Sequence, residues 1–133
     1  MKDLEEMLSN DRFASLAGIT LDETGEGSAV ASVLLSEDHY NGVGTVQGGL
    51  YFTLADYAFA AASNSRGKVA VAVKCDISFI RPASPGKLTA SAEEVSCGKT
   101  ISNYCVKIHD EAGTLVAVFN GTAFRMEKKS YGK

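Results

Sequence analysis

The sequence lacks an excess of positive charge, a long apolar run and a leader-like N-terminus. Lys and Arg number 13 against 16 Asp and Glu, a net charge of −3, and they form no basic block. The electrostatic footprint of a nucleic-acid-binding protein is therefore missing. No uninterrupted apolar stretch approaches the roughly 18 residues of a membrane span, and the acidic N-terminus has no apolar core region. We expect a cytoplasmic protein that binds neither nucleic acid nor a membrane.

Cysteine and histidine are also scarce. Cys75, Cys97 and Cys105 are odd in number and lack the paired spacing of a metal site. We expect them to be small buried side chains rather than a disulfide, a zinc site or a nucleophile. Only His39 and His109 remain as nitrogen ligands, so we expect no metal centre.

Two nucleotide-binding motifs fail on their spacing, and the motif of a serine nucleophile is absent. The Gly-Lys-Thr of residues 98–100 resembles the end of a phosphate-binding loop, but Glu93 stands where its upstream glycine is required. Gly42 and Gly44 would need a third glycine at position 47 for a dinucleotide fingerprint, and that residue is Gln47. No G-x-S-x-G run supports a serine nucleophile. Nucleotide hydrolysis, nicotinamide chemistry and serine catalysis are thus unsupported.

The patterns that are present predict one α+β domain over residues 1–133, of which 45% are hydrophobic. We predict a helical lead over 1–18, packed on the outside, a central helix over 50–62 and a tail over 127–133. Strands are predicted over 27–36, 69–81, 87–96, 101–109 and 114–126, separated by short turns. Strand 69–81 alternates apolar and polar residues, which indicates one buried face. One helix followed by closely connected strands predicts an antiparallel β-sheet wrapped around a long central helix.

The central helix carries one conspicuous acid. It is apolar nearly all round and rich in alanine, which predicts burial inside a curved sheet, yet it contains Asp56. A buried acid is often satisfied by a neighbouring hydroxyl or backbone N–H, and that reading stays open here. The other reading makes Asp56 a base or nucleophile, because an acid in apolar surroundings has a perturbed pKa.

Spacing along the helix limits how such an acid could act. The glycine-rich loop ends at Gly49, where unpaired N–H groups and the positive helix dipole could hold an oxyanion. Asp56 lies seven residues further on, about 10 Å along the axis at 1.5 Å per residue. One carbonyl group cannot touch both places. A twofold-related protomer could bring its own Asp56 to this helix start, so an enzyme of this sequence is predicted to be a dimer with composite sites.

These residues resemble a known family. Its signature H-x-N-x-x-G-x-x-H-G-G…L-A-D is matched by His39-x-Asn41-x-x-Gly44-x-x-Gln47-Gly48-Gly49 and then Leu54-Ala55-Asp56. The signature is that of hotdog-fold acyl-CoA thioesterases of the phenylacetic-acid-degradation (PaaI-like) type, within the 4-hydroxybenzoyl-CoA thioesterase superfamily. Ile77-x-Phe79-x-Arg81-Pro82 and the last strand extend the resemblance over residues 10–126. It implies a hotdog fold, two protomers sharing one continuous sheet, and dimers that assemble into homotetramers.

The resemblance also implies roles for single residues. Asp56 matches the acid that activates water or attacks the thioester carbonyl. Gly48 matches the glycine whose N–H polarises that carbonyl. Asn41 matches the residue that positions the acid, the water or the thioester, although an Asx turn beside Gly42 explains it equally well on local chemistry.

Gln47 departs from the family pattern, which has histidine at this position. Glutamine exchanges no proton near neutral pH, so we expect it to orient the loop and cap the helix. A serine or threonine that some relatives use to hold the attacking water falls near Ala72 or Val73, neither of which could serve. The remaining substrate-binding and CoA-binding positions implied by the resemblance are Gly49, His39, Arg81 and Lys99. Tyr40, Tyr51, Phe52 and Phe59 are candidates for the acyl pocket.

The function implied is hydrolysis of a small aromatic or short- to medium-chain acyl-CoA, with no cofactor beyond the CoA of the substrate. Three alternatives stay open: a hotdog hydratase-dehydratase, a non-catalytic acyl-CoA-binding protein, and a structural dimerisation domain. A hydratase-dehydratase would need a histidine paired with an acid at the site, and Gln47 does not supply that histidine. Retention of Asp56 argues against the second. The third would leave Asp56 merely buried.

Overall fold

A computed structural model describes residues 2–127, so the predicted tail over 127–133 lies outside the described residues apart from Glu127. Three α-helices and six strands follow one another within these described residues. Their bounds are α1 Lys2–Ser9, α2 Arg12–Ala17, β1 Thr20–Gly25, β2 Ser28–Leu34, α3 Gly48–Ser63, β3 Ala70–Phe79, β4 Lys87–Cys97, β5 Ile101–His109 and β6 Leu115–Arg125. A 3₁₀ turn, Glu37–His39, precedes the glycine-rich loop.

The six strands form one sheet in the order β1-β2-β4-β5-β6-β3, and every neighbouring pair is antiparallel. The sheet packs on α3, ten of whose residues are buried, and this confirms the α+β prediction of a sheet around a central helix. Gly121 of β6 allows the closest approach, because a Cβ atom there would lie 2.8 Å from the ring of Phe59. Any larger residue at this position would force the helix and sheet apart.

The sequence patterns did not reveal β1. This strand pairs with β2, but only Leu21 among its six residues is even partly buried. A strand at the sheet edge with one neighbour and a solvated surface carries no apolar alternation, so periodicity cannot detect it. The remaining strands and the central helix lie within a few residues of their predicted bounds.

The prediction that residues 69–81 bury one face is wrong for β3 within the protomer. Ala70 is its only buried residue, while Val71 and Val73 are 46% and 59% exposed. Two features explain this exposure. β3 forms the second edge of the sheet and pairs only with β6, and a bulge between Ala72 and Lys74 breaks the alternation. β3 therefore presents an apolar edge with unpaired backbone groups.

The expectation of three buried cysteines is also wrong. Cys97 is exposed and Cys75 and Cys105 are partly buried, and all three are free thiols. Cys105 alternates with the buried residues of β5 and so faces the outer side of the sheet. Among the described residues, no helix has both the length and the apolar character needed to cross a membrane.

Candidate active site

The glycine-rich loop is shaped by Asn41. Its Oδ1 accepts hydrogen bonds from the N–H groups of Val43 (3.0 Å) and Thr45 (3.1 Å). Its Nδ2 donates to Thr45 Oγ1 at 2.9 Å, and Tyr40 forms a bridge with Val46 across the loop. Within the protomer, Asn41 thus makes the Asx turn that local chemistry allowed. Contact with a substrate stays a prediction.

His39 ties this loop to α2. Its Nδ1 accepts from the Ser36 N–H at 3.0 Å, which assigns the proton to Nε2, and Nε2 donates to the Ala17 carbonyl at 2.7 Å. The His39 carbonyl in turn accepts from the N–H of Gln47 at 2.9 Å. Both ring nitrogens are therefore engaged inside the protomer, and the His39 backbone carbonyl holds the residue that precedes α3.

Gln47 is the N-cap of α3, as predicted. Its backbone is extended (φ −61°, ψ 130°), and its side-chain Oε1 accepts from the Gly49 N–H at 3.3 Å. The Leu50 N–H is taken by the Gln47 carbonyl at 2.9 Å. The Gly48 N–H, the first of the helix, has no acceptor among the described residues. One donor at the positive end of a 16-residue helix is thus free for a ligand oxygen.

An open cavity of about 380 Å³ lies at this donor. It is lined by Thr45, Val46, Gly48, Tyr51, Phe79, Ile80, Arg81 and Pro82. The rings of Tyr51 and Phe79 are 5.8 Å apart, and a Cβ on Gly48 would lie 3.3 Å from Phe79 Cζ, so the aromatic wall touches the helix start. The sequence motifs selected Tyr51 and Arg81 as site residues but gave Phe79 no role in the site, although Phe79 ends β3 two positions before Arg81.

A second cavity, of about 370 Å³, lies on the other side of the helix start. Its lining comes from α2, the 3₁₀ turn and α3: Phe13, Leu16, Ala17, Asp38, His39, Gln47, Gly49, Leu50 and Thr53. Phe13 and Leu16 are 67% and 85% exposed. The predicted lead therefore contributes apolar side chains to the candidate site as well as packing on the outside.

The other predicted aromatic residues lie elsewhere. Phe59 is buried between Tyr104 and Phe119 in the main core, and Phe52 stacks edge-on against Phe119. Neither ring lines the two cavities at the helix start. Tyr40 is partly buried and packs against the core beneath the loop.

Asp56 is partly exposed and has no hydrogen-bond partner among the described residues. Burial, and secondarily the negative charge of Asp11, raises its pKa above the usual carboxyl value. Burial and then the Asp56 carboxylate raise the pKa of the Cys75 thiol, so this acid lies beside β3. It is eight residues from Gly48, about 12 Å along the helix axis, and lines neither cavity.

Arg81 and Lys99 are also far apart in the protomer. Arg81 follows the C-terminal end of β3, whereas Lys99 lies in the hairpin between β4 and β5. That hairpin is held at the opposite end of β3, because its Gly98 carbonyl accepts from Arg125, the partner of Ala70 in the sheet. A ten-residue strand separates the two cations by roughly 30 Å.

Comparison with known proteins identifies the family. Residues 43–117 match the thioesterase superfamily. The chain is 39% identical to acyl-coenzyme A thioesterase PaaI of Escherichia coli K12 over 90% of its length and 86% of that protein. It is 32% identical to human acyl-coenzyme A thioesterase 13 over 77% of its length and 76% of that protein. The solved structure of PaaI from the E. coli phenylacetic acid degradation operon superposes with a TM-score of 0.91, covering 96% of this chain and 94% of that one. The chain belongs to the thioesterase superfamily, with the hotdog-like fold of its PaaI structures.

Proposed function

We propose that this protein is an acyl-CoA thioesterase that hydrolyses small aromatic or short- to medium-chain acyl-CoA esters. The observation that carries the proposal concerns α3: in the described part of the chain, its partly buried Asp56 carboxylate has no hydrogen-bond donor and its first N–H group has no acceptor. A carboxylate kept without hydrogen bonds costs stability and is therefore typical of a functional site. Relatives that are acyl-CoA thioesterases by name support this reading.

The active site is proposed to form between two protomers joined along β3. Antiparallel pairing of two β3 edges would cover Val71 and Val73 and give the unpaired backbone groups partners. It would also bring each end of β3 beside the opposite end of its partner, so that Arg81 would approach the partner's Lys99. The same twofold axis would bring the partner's Asp56 towards Gly48. Gly48 and Asp56 are separated within a protomer, and so are Arg81 and Lys99. One twofold rotation would bring the members of both pairs together.

In this site the thioester carbonyl would accept a hydrogen bond from Gly48 N–H, which with the helix dipole stabilises the developing oxyanion. The partner's Asp56 would deprotonate water or attack the carbonyl carbon, and the C–S bond would break to release CoA thiolate. Arg81 and Lys99 would meet the anionic nucleotide of CoA. Gln47 need not exchange a proton, because capping the helix is a sufficient role for it.

The test is thiol release from phenylacetyl-, benzoyl-, short-chain and medium-chain CoA esters by the wild type and by Asp56→Ala. We expect turnover of at least one class of ester by the wild type and its loss in the variant, with secondary structure and sedimentation unchanged. Binding without turnover of any ester would indicate an acyl-CoA-binding protein instead. Near-wild-type turnover by a folded, oligomeric Asp56→Ala would remove Asp56 from the mechanism.

Sedimentation of the wild type tests the oligomer, which we expect to contain the β3 dimer and to be a tetramer. Val73→Lys adds a charge to the exposed edge without disturbing the β6 side. We expect it to dissociate the dimer and to abolish turnover together. A monomeric wild type with full turnover would contradict composite sites.

A further inference from the structure

One face of α3 is left uncovered by the sheet. The residues of α3 that are not buried are Gly48, Gly49, Phe52, Thr53, Asp56 and Ala60. Their spacing of three and four residues places them along one stripe of the helix. Thr53 and Asp56 are the only hydrogen-bonding side chains in that stripe. They stand one turn apart, with Cβ atoms about 5–6 Å from each other.

The single hydrogen of the Thr53 hydroxyl is already used in a hydrogen bond. Oγ1 donates to the Gly49 carbonyl at 2.7 Å, one turn back in the same helix. A hydroxyl has one donor and two acceptor lone pairs, so Thr53 can offer a further partner only an acceptor. Asp56 in its ionised form is likewise an acceptor. Two acceptors one helical turn apart suit a molecule with two O–H donors, which is water.

We infer that Thr53 positions the water that attacks the thioester, so that Asp56 acts as a general base. This inference rests on the proposed function and settles which of its two chemical routes the site uses. The water donates one hydrogen to Thr53 Oγ1 and the other to Asp56, which leaves a lone pair directed at the substrate. Ala72 and Val73, near the position where the resemblance implies a water-holding hydroxyl, carry none. The inference assigns that role to the Thr53 hydroxyl.

The step balances without another reactant. The water oxygen forms a bond to the carbonyl carbon while its proton passes to Asp56, and the carbonyl π electrons move to the oxygen held by Gly48 N–H of the facing protomer. The tetrahedral intermediate then reforms the C=O bond and breaks the C–S bond. CoA leaves as thiolate and takes up the proton from Asp56, which regenerates the base.

The test compares Thr53→Val with Thr53→Ser in the intact oligomer. Valine has the shape of threonine without the hydroxyl, and the helix is expected to persist because the Gly49 carbonyl also accepts its regular helical bond. We expect Thr53→Val to lower kcat by about 10- to 100-fold with KM little changed, which reflects a misplaced nucleophile. Thr53→Ser should restore kcat. A Thr53→Val enzyme with wild-type kcat, or a Thr53→Ser enzyme as slow as Thr53→Val, would overturn the inference.

A single-turnover reaction of the wild type in H₂¹⁸O tests the route itself. Direct attack by water puts ¹⁸O in the product acid and leaves the Asp56 carboxylate unlabelled. Attack by Asp56 instead forms an anhydride, and hydrolysis of that anhydride at the aspartyl carbon places ¹⁸O in the peptide that contains Asp56. We expect no label in that peptide, and its labelling would overturn the general-base route. A wild type that hydrolyses no acyl-CoA would refute the proposed function before the variants are compared, so the two failures are distinguishable.

Discussion

Asp56 and Asp110 are two carboxyl groups with restricted solvent access, and they differ in their hydrogen-bond donors and in the direction in which their pKa is shifted. Asp110, only 8% exposed, accepts hydrogen bonds from the N–H groups of Ser84 (3.0 Å), Ala112 (3.1 Å) and Thr114 (2.9 Å). These bonds, chiefly those from Ser84 and Thr114, lower its pKa. The Asp56 carboxylate has no such donors within residues 2–127, and burial raises its pKa. The number of donors aimed at the carboxylate, rather than its depth, therefore separates the turn-building Asp110 from the candidate base Asp56.

The largest effect is expected from Asp56→Asn. Removing the charge removes the base, so kcat should fall by about 10²- to 10⁴-fold. The melting temperature at pH 7 should stay the same or rise, since the folded state no longer holds a poorly solvated charge. Thiol release measures the expected loss of kcat, and thermal unfolding of the same sample measures the melting temperature. A variant that loses stability and activity in parallel would show that Asp56 is a structural acid like Asp110.

Gly48→Pro removes the N–H group that we place opposite Asp56. Proline is favoured at the first position of a helix, the extended Gln47 is compatible with a following proline, and Gly48 does not have a positive φ. We expect kcat to fall by about 10²- to 10³-fold, as for loss of one oxyanion donor.

Gly48→Ala is the matched control for this variant. It adds the same Cβ, 3.3 Å from Phe79 Cζ, but retains the N–H. Its loss of kcat should be much smaller than that of Gly48→Pro. Equal losses in the two variants would show that crowding, and not the missing donor, causes the defect.

Asp110→Asn should reverse the pattern of Asp56→Asn. It weakens the acceptor of three backbone N–H groups, so we expect the melting temperature at pH 7 to fall by several degrees while kcat per folded protein is retained. Because the folded pKa of Asp110 is lowered, its stabilisation exists above the ordinary carboxyl pKa and is lost as the pH falls through the lowered pKa. The difference in melting temperature should therefore shrink in acid. A difference that stays constant with pH would contradict this assignment.

The smallest effect is expected from Asp11→Asn. Asp11 caps α2 by accepting from the Ala14 N–H at 3.0 Å, and asparagine preserves that cap. Removing the Asp11 charge lowers the pKa of Asp56, so the acidic limb of the pH profile of kcat should move to lower pH. Activity at neutral pH should hardly change. A limb that stays in place would show that another group titrates there.

The raised pKa of Asp56 also has a consequence for stability. A folded pKa above the unfolded value means that the folded state binds the proton more tightly, so stability falls as the pH rises from the ordinary carboxyl pKa through the raised one. The wild type should lose stability in that window relative to Asp56→Asn. The two acids thus contribute pH dependences of opposite sign to the same molecule.

Sequence patterns predicted most of the fold, and they selected candidate site residues whose roles stay predictions. Apolar periodicity located α3 and five strands. The helical rise per residue predicted that Gly49 and Asp56 are too far apart to contact the same carbonyl group. Sequence patterns missed β1 because a solvated edge strand has no apolar alternation, and they misjudged β3 because an alternating strand can sit at an edge as well as in the middle of a sheet. Burial depends on which elements cover a strand, and the local alternation of apolar and polar residues does not specify those elements.

Side-chain hydrogen bonding was equally hard to foresee. The resemblance implies substrate-site roles for His39 and Asn41, which stay predictions, while within the protomer their side chains bond to the loop and to α2. For Asn41, local chemistry had already allowed this Asx turn. A short polar side chain in a glycine-rich loop can serve either purpose, and only coordinates show which donors surround it. Phe79 and Thr53 were overlooked because an aromatic residue in a strand and a threonine in a helix are common structural residues.

The most direct test of the composite site mixes two inactive proteins, Asp56→Asn and Gly48→Pro, by co-refolding. If each site takes Gly48 from one protomer and Asp56 from the other, a heterodimer contains one doubly defective and one intact site. Random pairing should then restore about a quarter of wild-type activity, since half the dimers are mixed and each has one working site in two. If each site lay within one protomer, every site in the mixture would keep one defect, and activity would stay at the level of the inactive parents.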